Sequence, residues 1–345
     1  MAIMKSSVFA GALETGVYRF ASEEGIWLPV RDGLPDGLEV LSIVGRPEDD
    51  RILYMGTQKG LFCSVDGGDS WNDMGLRVEG SAVYSILLDP GNPATIYAGL
   101  DHTTICKTVD GGGTWRRLPT IQPEAAITGC FPVRVLQMGL DPNAPNEIYG
   151  ALEVGGFIRS LDGGETWDDR SGNLAAFAVQ PHLKSMILSD KDTEGMLDLH
   201  ALVVSPTHSG MVWIANRMGL FVSEDRGDNW REFGIGRFSD LTYARDIMVS
   251  PHDPKVYLAA LSESSRGHAG SLYRSGDSGE TWQRIDHGIS VDSTVMKVSV
   301  SSCEPDRIFF GARLGQVFGT EDGGDSWMAM PLPPDVVDVR AIYCI

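Results

Sequence analysis

Six near-copies of one octapeptide punctuate this chain: Ser64 to Trp71 (SVDGGDSW), Thr108 to Trp115 (TVDGGGTW), Ser160 to Trp167 (SLDGGETW), Ser223 to Trp230 (SEDRGDNW), Ser275 to Trp282 (SGDSGETW) and Thr320 to Trp327 (TEDGGDSW). Their shared core is [ST]xDxGx[STN]W. The box aspartates stand at positions 66, 110, 162, 225, 277 and 322, so the steps between them are 44, 52, 63, 52 and 45 residues. A period of this size with several short strands per unit means propeller blades.

Between boxes lies a second recurrent element, an alternating apolar strand, a Pro, Asp or Gly turn, and another strand. Leu38 to Thr57 and Ala82 to Leu100 show it, and so do Val133 to Leu152, Leu199 to Asn216, Ala244 to Leu261 and Val295 to Ala312. Period-two apolar residues around such a turn specify a hairpin. A blade is therefore strand A, a tight turn, strand B, a connection, strand C, the box turn and strand D. Six full units are visible, and the chain ends supply a seventh. Val339 to Tyr343 reads as a lone strand A, Ser7 to Leu13 as strand B, Gly16 to Phe20 as strand C, and Ser22 to Trp27 as a decayed box that keeps only its Trp. Pairing the C-terminal strand with the N-terminal three removes the exposed edges of an open ring.

The expected fold is all-β, a single seven-bladed β-propeller domain of four-stranded antiparallel blades spanning 1–345. Its blades are expected at 336–345 with 7–30, then 38–75, 82–118, 133–169, 198–233, 243–286 and 294–330. The boxes resemble the Asp-box (BNR) repeats of sialidases, xyloglucanase-type glycoside hydrolases, the sortilin ectodomain and a photosystem II assembly factor. That resemblance covers almost the whole chain and implies the propeller. It does not imply one activity, because those relatives share an architecture and differ in what they do.

Within a box, a buried Asp carboxylate is expected to accept backbone N–H groups. Gly is expected to supply a backbone angle costly for other residues, and Trp a large apolar plate contributing roughly 2 to 3 kcal/mol. The box is thus a clasp between strands C and D. The alternative, calcium or ligand held at each box, is the less economical reading, and the resemblance places such boxes away from catalytic centres.

The formal net charge of −19 disfavours nucleic acid or an anionic membrane as partner, since binding there rests on Lys and Arg neutralising phosphates. Five cysteines without a CxxC pair read as reduced thiols. With no signal-like N-terminus or apolar run of membrane-spanning length, the expected location is cytoplasmic.

Strand direction alternates, so A-to-B turns and box turns share one end of the blades, and B-to-C and D-to-A connections share the other. The long connectors, Asp168 to Leu197, Arg116 to Pro132 and Ser262 to Ser271, all fall at the second end, where function is expected at the mouth. Aligning the inner strands places Tyr84, Leu136, His200, Arg245 and Met296 at one equivalent position, with Arg340 joining from the C-terminal strand.

Three readings of that opening compete. Charged residues near a wet channel can simply pair with one another. A second reading is a site for a small anionic or sugar-like molecule, held by Arg134, Arg217, Tyr243, Arg245, Arg313 and Arg340 through forked hydrogen bonds, with Glu153, Asp198 or His200 as general acid or base. The resemblance to sialidases stops short here, because their Phe/Tyr-Arg-Ile-Pro motif is absent. The third reading is a divalent metal such as zinc, iron or manganese on His102, His200 and His268, without HxH or HExxH spacing to support it. Cys130 as a nucleophile lacks an assignable base. The leading expectation is a hydrolase or lyase on an anionic or sugar-like substrate, and the alternative is a non-catalytic scaffold for a protein partner.

Overall fold

The computed structural model describes residues 7–124, 126, 132–183, 185 and 193–345. It contains seven four-stranded antiparallel sheets, the blades of a seven-bladed β-propeller. Blade 1 takes its innermost strand from Val339–Cys344 and continues with Val8–Ala12, Gly16–Ala21 and Ile26–Val30. Phe9 pairs with Tyr343 and Ala10 with Ile342, so the C-terminal strand closes the first blade as the sequence anticipates.

Blade 2 runs through Val40–Arg46, Asp49–Thr57, Gly60–Ser64 and Asn72–Asp73, and blade 3 through Val83–Leu88, Ile96–Leu100, Ile105–Thr108 and Arg116–Arg117. Blade 4 is Arg134–Asp141, Ala144–Glu153, Gly156–Ser160 and Asp168–Asp169, and blade 5 is Leu199–Val204, Val212–Asn216, Gly219–Ser223 and Arg231–Glu232. Blade 6 is Tyr243–Val249, Tyr257–Ser262, Gly270–Ser275 and Gln283–Arg284, and blade 7 is Val295–Val300, Ile308–Ala312, Val317–Thr320 and Met328–Ala329. The connector from Asp168 to Leu197 is less irregular than its composition suggests, since it holds short helices at Gly172–Ala175 and Thr193–Leu197 and a 3-10 turn at Ala176–Val179.

The chain groups into two compact units, one of residues 1–83, 250–260 and 267–345, the other of 84–249 and 261–266. In the first, apolar residues of blades 1 and 2 pack together around Phe9, Leu53, Met55 and Trp71, and those of blades 1 and 7 around Phe309, Val339 and Ile342. In the second, blades 4 and 5 meet around Tyr149, Phe157, Ile214 and Phe221. Close blade contact explains two strand glycines. A Cβ on Gly11 would fall 2.3 Å from Val40 Cγ1, and one on Gly311 would fall 2.6 Å from Ile342 Cγ1.

The box geometry corrects one expectation. The carboxylate is solvent-facing, and the buried acceptor is the Ser or Thr hydroxyl two residues before it. Ser160 Oγ donates to Asp162 Oδ1 (2.8 Å) and accepts Gly164 N–H (2.8 Å). Asp162 then takes Thr166 N–H (2.8 Å) and Thr166 Oγ1–H (2.6 Å). The same set recurs at Ser64/Asp66/Ser70, Thr108/Asp110/Thr114, Ser223/Asp225/Asn229, Ser275/Asp277/Thr281 and Thr320/Asp322/Ser326.

The residue after each box Asp occupies the left-handed region: Gly163 has φ 73°, and the non-glycines Arg226 (φ 63°) and Ser278 (φ 61°) are held there too. Its amide binds the A-to-B turn of its own blade, Gly163 N–H to Asn146 O at 2.9 Å and Arg226 N–H to Gly210 O at 2.8 Å. Of the box tryptophans, Trp71, Trp167, Trp230 and Trp282 are buried, whereas Trp115 and Trp327 are only half-buried.

A further staple escapes sequence inspection. The acidic residue at the sixth box position pairs with an arginine of the preceding blade: Asp69 with Arg19, Glu165 with Arg116, and Asp228 with Arg159 at 3.2 Å.

All six box carboxylates lie below the ordinary carboxylate range. Donors from the residue four positions on hold Asp66 and Asp162 down at about 2, and at Asp225 burial pushes upward but the Asn229 and Ser223 donors outweigh it. A depressed folded-state value stabilises the fold above the unfolded value of about 4 and is lost as pH falls through the folded value. Acid titration followed by tryptophan fluorescence should therefore show loss of the native state between roughly pH 4 and 2. An unchanged signal through that window would contradict the clasp role.

Candidate functional site

The second unit gathers the charged residues expected at the inner strands of blades 4 to 6. Asp198 sits between the helix Thr193–Leu197 and the first strand of blade 5, and is 4% exposed. Arg217, in the turn after Val212–Asn216, donates through Nε to Asp198 Oδ2 and through Nη1 to Glu194 Oε1 (3.0 Å). Glu194 was not singled out in the sequence. Its signal is the four-residue spacing to Asp198, which brings both carboxylates to the same guanidinium across one helical turn.

Burial alone would raise the Asp198 carboxyl. Hydrogen bonds from His200 and Arg217, with the charge of the Arg217 guanidinium, overcome this and hold it well below the usual range. The ionised form of Asp198 is therefore the favoured one in this network.

His200 is buried, and both its nitrogens are occupied. Nδ1 lies 2.7 Å from Ala244 O, an acceptor only, so Nδ1 carries a proton. Nε2 lies 3.3 Å from both Asp198 Oδ2 and the Tyr243 hydroxyl, with the two rings 4.8 Å apart. This ties blade 5 to the first strand of blade 6 and leaves neither nitrogen open to a cation. His102 is exposed at φ 57° in the turn after Asp101, and His268 is exposed in its loop. Among the described residues, no group of three or more His, Cys, Asp or Glu side chains is placed to hold a metal ion. Cys130 lies outside the described residues.

In blade 4, Arg134 and Glu153 face each other across adjacent strands, with Nη1 2.9 Å from Oε2. Arg134 also reaches Asp101 at 3.5 Å and lies over the Tyr84 ring, 5.1 Å from its centre. Burial pushes the Tyr84 hydroxyl up to about 12 against the opposing pull of Arg134. Arg245, half-buried on the first strand of blade 6, is different. Burial disfavours its charge, yet Tyr243, Glu153 and Asp198 outweigh that cost by direct attraction. It makes no close carboxylate ion pair among the described residues, whereas Arg134 and Arg217 each make two.

In the first unit, Arg313 pairs with Asp338 at 3.2 Å, and Arg340 is half-buried on the innermost strand of blade 1.

Against known proteins, no family model matches the chain. A xyloglucanase of Hypocrea jecorina is 23% identical, the alignment covering 87% of this chain and 39% of the relative. A probable oligoxyloglucan-reducing end-specific xyloglucanase of Neosartorya fischeri is 26% identical over 81% of this chain and 38% of its own length. The chain thus spans about two fifths of these curated relatives. Among solved structures, an ancestral GH74 enzyme matches with TM-score 0.61 and 17% identity over 93% of this chain and 40% of that one. YCF48 bound to D1 peptide matches with TM-score 0.59 and 14% identity over 91% and 92% of the two chains. At these identities the structural likeness is one of fold.

The Arg217–Asp198 pair is buried on both sides, so removing one partner strands the other charge. Asp198→Ala is expected to lower unfolding free energy by about 3 to 5 kcal/mol, measured by urea denaturation. A cost under about 1 kcal/mol, typical of a surface pair, would refute the buried network.

Proposed function

We propose that this chain is an Asp-box propeller that binds a small sugar-like or anionic molecule at the inner strands of blades 4 to 6, with Arg245 as the receiving group. The observation that carries this reading is the contrast among the three arginines of the cluster. Arg134 and Arg217 are each neutralised by two carboxylates, while Arg245 keeps a charged fork that no close ion pair uses up. A guanidinium presents several donors in one plane, which suits a carboxylate, a sulfate or a vicinal diol. Tyr243 beside it is buried and links this part of the cluster to His200.

Hydrolysis of a glycosidic bond is the second reading, favoured by the xyloglucanases among the sequence relatives. Glycoside hydrolysis needs two carboxyl groups in different protonation states. Asp198, favoured in its ionised form, suits the carboxylate of such a pair or the positioning of His200. Glu153 then remains as the group that would have to exchange a proton. The scaffold alternative, a protein-binding propeller as in YCF48 bound to D1 peptide, needs none of these groups.

The test is calorimetric titration with xyloglucan oligosaccharides and with sulfated or uronic-acid sugars. Arg245→Ala should abolish binding while leaving the thermal unfolding midpoint near that of the parent, and Glu153→Gln should abolish any sugar release while retaining binding. Affinity unchanged in Arg245→Ala would sink the binding reading. No sugar binding at all, with retention of a peptide partner, would favour the scaffold.

A further inference from the structure

In blades 2 to 7 an unbroken turn joins the first strand to the second. In blade 1 those two strands come from opposite ends of the numbering, and past their ends they meet through Ile345 N–H donating to Ser7 O at 3.0 Å. A cavity of about 420 Å³ lies there, with Ser7 and Ile345 in its wall. Arg51 from the second strand of blade 2 and Cys303 and Arg307 from the A-to-B turn of blade 7 line its sides, and Arg19 enters from the third strand of blade 1.

Arg307 is the unusual member. Its residue is 2% exposed, yet its nearest carboxylates are distant for hydrogen bonds, with Nη1 3.4 Å from Glu304 Oε2 and Nη2 3.6 Å from Glu321 Oε1. Its Nε and Nη2 have no hydrogen-bond acceptor. A buried guanidinium with unmet donors carries a desolvation cost that an oxyanion would relieve. Asp66 spends both oxygens within its box and Asp50 is exposed, while the exposed Glu304 and Glu321 offset the charge of Arg307 without meeting these two donors.

We propose that this cavity binds a small oxyanion, a carboxylate or a phosphate, with Arg307 as its inner donor and with Arg51, held to Asp49, and Arg19, held to Asp69, adding positive charge at its rim. The site shares no residue with the Arg245 cluster and stands independently of the function proposed there.

The exposed thiol of Cys303 is the reporter, with half-buried Cys63 as internal reference. Iodoacetamide alkylation is followed by peptide mass spectrometry in inorganic phosphate, in malonate, and in sodium chloride at matched ionic strength. Phosphate, malonate or both should slow alkylation of Cys303 relative to chloride while Cys63 is unaffected, and the more effective probe assigns a tetrahedral or a carboxylate ligand. Arg307→Gln should abolish the protection. Arg51→Ala alters an exposed side chain, so it keeps the test open if the buried variant fails to fold, and it should weaken protection several-fold. No protection by either probe overturns the proposal, as does full protection in the arginine variants that fold.

Discussion

The hydroxyl-centred clasp is the interaction on which the rest depends. A Ser or Thr at the end of each third strand donates to the box carboxylate and accepts an amide from the turn, while the carboxylate takes the amide and side chain of the residue four positions on. A second amide of the same turn binds the A-to-B turn of its own blade. Four strands are thereby locked at one end by a handful of hydrogen bonds, and the outer strand can be as short as two residues. With one end of the blades fixed, variation in length falls on the connections at the other end.

Those connections bring charge into partly buried surroundings, where the cost of desolvation governs the outcome. Arg217 and Asp198 are tolerated because their charges offset each other through Asp198 Oδ2, which His200 also approaches, and Glu194 adds a second carboxylate, while Asp198 Oδ1 has no hydrogen-bond partner. Arg134 follows the same rule with Glu153 and Asp101. Much of the charge in this region therefore holds the inner strands of neighbouring blades together. Arg245 departs from the pattern, because it makes no close ion pair among the described residues.

The fold was legible from the sequence because a repeated motif reports the same local chemistry six times, and Val339 to Tyr343 could be matched to the other first strands by its alternation alone. The neighbourhood of the candidate site's residues was legible, their contacts less so. Spacing placed Asp198, His200, Arg217, Tyr243 and Arg245 in one neighbourhood. It could not show that His200 would spend a nitrogen on the carbonyl of Ala244, a backbone atom with no sequence signature. Nor could it show that the box carboxylate would face solvent while the preceding hydroxyl lay inside, since Ser, Asp and Thr all look equally suited to accept an amide. The arginine staples between blades stayed hidden because each joins residues roughly 50 to 70 positions apart with no fixed spacing.

Blade 1 closes by joining Val8–Ala12 to Val339–Cys344, the most distant strand pairing among the described residues. During synthesis Val8–Ala12, Gly16–Ala21 and Ile26–Val30 emerge before the six other blades, and Val339–Cys344 emerges after them. Until then Val8–Ala12 presents an unpaired edge, the kind of surface that recruits strands from other chains. Closing so long a loop carries an entropic cost before any contact rewards it, and pairings of this separation are slow to form. The same strand exchange that covers the inner edge of Val8–Ala12 thus makes the arrival of Val339–Cys344 a kinetic bottleneck.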